Sequence, residues 1–127
     1  MLTINDAPAS LSPAGALRWL AHKLEQAAET AADHADVCRS GSMLIDLRHA
    51  AEAYAAAANH KRAAAGYMAQ AYMLEGREID RCVSGWHAGD AACYDVAAAD
   101  AREEHARRQA EVAATIPAFL AGQGATI

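Results

Sequence analysis

The chain has 127 residues, 54% of them apolar, and only one Phe, two Trp and four Tyr accompany an Ala-dominated remainder. That length predicts one domain with a real core and leaves too little chain for two. Lys plus Arg number 11 against 16 Asp plus Glu, a formal net charge of -5 with the signs interleaved, so there is no basic face to hold nucleic-acid phosphates.

Residues 1–9 have no hydrophobic period and contain Pro8, which predicts a flexible arm. The opening MLTINDAPAS carries an Asp and no basic residue before an apolar run, so it does not read as a signal peptide. Ser10 to Ser12 offer hydroxyl caps and Pro13 suits a first helical position, so a helix is expected from Pro13 to Arg39. Its apolar positions Leu17, Leu20, Ala21, Leu24, Ala27, Ala28, Ala31, Ala35 and Cys38 recur at steps of three and four.

Ser40-Gly41-Ser42 is expected to end that helix, with Ser42 capping the next. A second helix, Met43 to Ala58, carries Leu44, Leu47, Ala50, Ala51, Tyr54, Ala57 and Ala58 on one side. Arg48 and Glu52 form an i,i+4 pair on the other. Asn59-His60-Lys61 reads as a turn, because Asn readily takes positive φ. A third helix follows from Lys61 to Val83, with Tyr67, Ala71 and Leu74 on one line and Met68, Tyr72 and Ile79 on another. So wide an apolar surface predicts that it is the central helix.

Ser84 to Gly89 reads as a loop, and Asp90 as the cap of a fourth helix from Ala91 to Ile116. Tyr94, Ala97, Ala98, Ala101, Val112 and Ile116 supply its thin apolar stripe, and the Glu/Arg run from Glu103 to Arg108 a solvated face. Pro117 should stop or kink the helix, opening a tail over 117–127. Phe119 and Leu120 in that tail anchor on the bundle or dock on a partner. The expected fold is therefore all-α, a four-helix bundle over 10–116 with short connections and a central helical hairpin.

The spacing over 44–75 resembles a single tetratricopeptide repeat, a helix–turn–helix unit with fixed apolar, small and aromatic offsets. Leu47 matches the first large apolar position, Ala50 and Ala51 the Leu-Gly pair, Tyr54 the first aromatic, Ala63 the inter-helix Ala and Tyr67 the second aromatic. Gln70 and Glu75 depart from the pattern, and no second copy lies 34 residues away in either direction. The resemblance implies hairpin geometry and a peptide-binding use, and it carries over no ligand-contacting residue. Trp86-His87-Ala88-Gly89 is similar to the W-x-G turn of small type VII secretion substrates with one residue too many, and Ala98 stands where their acidic export residue would follow Tyr94.

Six His and three Cys make metal binding the sharpest chemical alternative. His34 and Cys38 share a helix face, Asp46 and His49 another, and Cys82, His87 and Cys93 flank the Trp86 segment. The Glu-x-x-His repeats of di-iron bundles are missing, and no motif assembles four ligands. Nucleophilic catalysis lacks an evident base beside a Cys or Ser, and no phosphate loop follows a strand.

An odd Cys count without C-x-x-C predicts a reducing, cytoplasmic setting, and the longest uncharged run near the centre, Ala63 to Leu74, is far short of the roughly 20 residues of a membrane span. The expected function is a non-enzymatic protein–protein interaction module, an acidic inhibitor or adaptor, with no cofactor. The alternative is a metal- or small-ligand-binding bundle. Interaction candidates are Tyr54, Tyr67, Met68, Tyr72, Trp86 and Phe119. The expected partner is another protein, and a homodimer would complete a core that thin Ala-rich helices leave short.

Overall fold

The computed structural model describes residues 2–77 and 81–126, with side chains over 2–77 and 89–117. Three helices, α1 (Pro13–Arg39), α2 (Leu44–Leu74) and α3 (Arg81–Thr126), follow a single 3₁₀ turn at Ile4–Asp6, and no strand occurs among the described residues. The all-α expectation stands, and the four-helix count does not.

The first boundary follows the capping chemistry. The Gly15 N–H donates to Ser12 Oγ at 3.0 Å, and Pro13 occupies the first turn, where its missing N–H costs nothing. At the next boundary the cap is Met43 rather than Ser42. The Asp46 carboxylate turns back to accept the Met43 N–H at 3.2 Å and occupies the space where a side chain on Gly41 would sit.

The expected turn at Asn59-His60-Lys61 is absent, and α2 runs unbroken through it. No non-Gly residue in the described chain has positive φ, so Asn59 keeps helical geometry amid strong helix formers, its side chain accepting from Arg62 Nη2 at 2.8 Å. The central hairpin is therefore one long helix. The chain reverses instead at Gly76, whose φ of 67° suits a residue without Cβ. Gly76 N–H donates to the Met73 carbonyl at 3.1 Å and Arg77 N–H to the Tyr72 carbonyl at 2.9 Å, the paired bonds of a Schellman ending.

The loop expected over Ser84 to Gly89 is also helical, as the first turns of α3. Just beyond it Ala91 is buried and Asp90 pairs with Lys61, so tertiary contacts outweigh the local glycine cost. Pro117 likewise lies within the helix rather than at its end. Ile79, placed above on an apolar line of the third helix, lies outside the described residues.

α2 is the middle member, antiparallel to both neighbours. Leu17 near the start of α1 packs with Ala71 near the end of α2, while Ala35 meets Ala50 and Ala51 at the opposite end. α3 returns along α2 from Asp90 at Lys61 to Ala98 and Ala101 at Tyr54. Tyr94 reaches across to the Ala28/Ala32/Ala57 cluster, so α1 and α3 meet there too. The core is made mostly of Ala, and among the described residues only Leu20 and Leu47 are larger apolar side chains wholly withdrawn from solvent.

That thin core predicts sharply unequal sensitivity. Leu47→Ala should cost about 2–5 kcal/mol by leaving a cavity among Ala neighbours that cannot collapse. Leu74→Ala, at a 61% exposed site, should stay within about 0.5 kcal/mol. Chemical denaturation of both variants measures the contrast.

Candidate interaction surface

Because α2 is continuous, α1 lies along most of its length and covers the tyrosines expected to face a partner. Tyr54 is 5% exposed, and its hydroxyl donates to the Asp36 carboxylate on α1. Burial first, and then the Asp36 carboxylate, raise the Tyr54 phenol above the usual tyrosine range. Tyr72, 9% exposed, lies beneath two guanidinium groups, Arg18 at 5.6 Å and Arg77 at 5.1 Å from its ring centre. Glu75 ion-pairs with both arginines, and the Arg18 hydrogen bond leads in holding its carboxyl below the ordinary value. Tyr67 is half-buried against Ala14, Leu17 and Ala71, and Met68 is half-buried as well. The aromatic face of α2 thus points mainly into the fold.

The candidate metal ligands converge only in part. His34 Nε2 lies 3.5 Å from Cys38 Sγ, as their four-residue spacing requires. His34, His49 and Glu52 border an open depression of about 370 Å³, and Cys93 is exposed on α3. Among the described residues no group of three or more His, Cys, Asp or Glu side chains is arranged to hold a metal ion. The side chains of Cys82, Trp86, His87 and Phe119 lie outside the described residues.

Lys61, read above as part of a turn, is 4% exposed, with Nζ 3.3 Å from Asp90 Oδ2. Beside it Arg62 Nη1 meets Asp95 Oδ2 at 2.7 Å, a second bond between α2 and α3. Lys61 stands three and seven residues after Ala58 and Tyr54, both on the buried stripe, so an unbroken helical register carries it inward. The Asn59 turn reading hid that signal.

What remains open lies along α3. A groove of about 400 Å³ between α2 and α3 has Ala51 and Ala55 within it and Arg48, Glu52, Arg102 and His105 around it. Beyond this point α3 outruns its support. At about 1.5 Å per residue, the 46 residues of α3 span roughly 69 Å against roughly 46 Å for the 31 residues of α2. Every residue from Gln109 to Pro117 is exposed, including Val112 at 49% and Ile116 at 54%. The apolar stripe that buries Ala98 and Ala101 thus continues past the bundle.

Compared with known proteins, the chain matches no family model, no curated protein and no solved structure. Among the described residues no helix is long and apolar enough to cross a membrane.

The Tyr54 phenol gives a pH test of the α1–α2 contact. A folded-state pKa raised above the unfolded value of 10.0 contributes stability that is complete below that pH and is lost as pH rises through the folded value. Stability should therefore fall on alkaline titration above about pH 10, and Tyr54→Phe should flatten the fall. At neutral pH the same variant should cost about 1–2 kcal/mol through the lost hydrogen bond. Urea unfolding at a series of pH values checks both.

Proposed function

We propose that this chain is a non-enzymatic helical module that works through protein–protein contact, with α3 as its contact element. The observation that carries this reading is the projection of α3 beyond α2, which leaves Val112 and Ile116 exposed on a stretch, Gln109 to Pro117, that no described residue buries. A single helix of that length is marginal in water on its own, and packing of an amphipathic face is the usual source of its stability. A helix laid against a complementary helix or groove is a recurring recognition mode, read through anchors at i and i+4 such as Val112 and Ile116. The net charge of -5 suits an adaptor or inhibitor role against a partner with a basic surface.

A photo-cross-linking residue introduced at Ala110 or at Val112 in the native cell should give a discrete protein adduct, whereas one at exposed His22 on α1 should give none. The reading fails if neither α3 position captures a protein.

A further inference from the structure

We infer that the groove between α2 and α3 is a binding site for a small monocarboxylate with an apolar body, a site that goes beyond the interaction-module reading. Its floor is the methyl groups of Ala51 and Ala55 on α2, and its volume of about 400 Å³ falls within the range of small-molecule sites. Arg48 and Glu52 stand on the α2 bank, with Arg102 and His105 on the α3 bank. Arg102 and His105 are three residues apart, so one face of α3 carries both.

Charge balance identifies the class of ligand. Arg18, Arg48, Arg62, Arg77 and Arg108 each ion-pair with a carboxylate of this chain. Arg102 pairs with none among the described residues, in a chain whose 16 Asp plus Glu outnumber its 11 Lys plus Arg. The acids nearest to it in sequence are committed elsewhere. Asp100 and Glu103 lie on other faces of the helix, and Glu104 accepts from Arg108 Nη2 at 2.8 Å. On the opposite bank Arg48 Nε holds the Glu52 carboxylate at 3.3 Å, and the two charges cancel. The groove is left with the single guanidinium charge of Arg102, to which the His105 ring adds an N–H donor in either of its charge states.

A carboxylate matches that balance. Its two oxygens suit the paired N–H groups of one guanidinium, and its one negative charge cancels that of Arg102. A phosphate monoester would bring more negative charge than the groove offsets. The alanine floor requires a hydrocarbon body as well, because a ligand as short as acetate would leave those methyl groups in water.

Isothermal titration calorimetry of the full chain with octanoate tests the site. Octanoate should bind at a single site. Acetate keeps only the charge and 1-octanol only the hydrocarbon, so each should bind on the order of tenfold more weakly or worse, and octyl phosphate should bind more weakly than octanoate too. Arg102→Gln keeps a long polar side chain without the charge and should weaken octanoate on the order of tenfold. Arg107→Gln, on α3 but outside the groove, should leave it unchanged. Circular dichroism should be unaltered in both variants, since both residues are exposed. The inference is overturned if octanoate does not bind at millimolar concentration, if acetate, 1-octanol or octyl phosphate binds as tightly, or if R102Q binds octanoate as well as the wild-type chain. None of these outcomes bears on the interaction-module reading, which cross-linking from Ala110 and Val112 tests separately.

Discussion

Methyl groups from Ala35, Ala50, Ala57, Ala98 and Ala101 are sealed from solvent, so α1 and α3 stay attached to α2 only while their backbones remain close to it. Alanine burial contributes little transfer free energy per residue, because each side chain removes only one methyl group from water. The compensation is proximity, which lets many such contacts form along helices of 27 and 31 residues. Bulky anchors are few, and Leu20 and Leu47 carry more than their share.

Polar contacts then specify how the thin core is arranged. The Tyr54 hydroxyl on the Asp36 carboxylate fixes α1 against α2. Lys61 with Asp90, and Arg62 with Asp95, fix α3 on the other flank. The stacked arginines on Tyr72, tied together through Glu75, close the end where α2 turns at Gly76. A buried ion pair is weak evidence for net stability, because desolvation offsets its attraction. Its contribution here is register: a helix slid by one turn would strand the Lys61 ammonium without the Asp90 carboxylate.

These constraints also explain where function can reside. Tyr54 and Tyr72, which looked like recognition elements, are spent on internal contacts, and among the described residues the His and Cys side chains come together no further than the His34–Cys38 pair and the depression shared by His34 and His49. α3 alone extends beyond what the fold requires of it. Its projecting turns, Gln109 to Pro117, are exposed throughout.

The sequence by itself determined the helical class, the N-terminal boundary at Ser12-Pro13, and the buried stripe from Leu47 to Ala58, because capping chemistry and the 3.6-residue period are local properties. It also marked Val112 and Ile116 as continuing an apolar stripe, without revealing that both are exposed among the described residues. Where the helices end could not be read the same way. Asn59 and the glycines of the Ser84–Gly89 segment are weak breakers, and whether a weak breaker breaks depends on contacts made from elsewhere in the chain. Lys61 reaching Asp90 and the burial of Ala91 belong to the tertiary structure, where three helices of the four that local signals implied are parts of longer ones. The inward turn of Tyr54 and Tyr72 and the exposure of α3 follow from that same merger, since a continuous α2 gives α1 a full-length partner and leaves α3 longer than either.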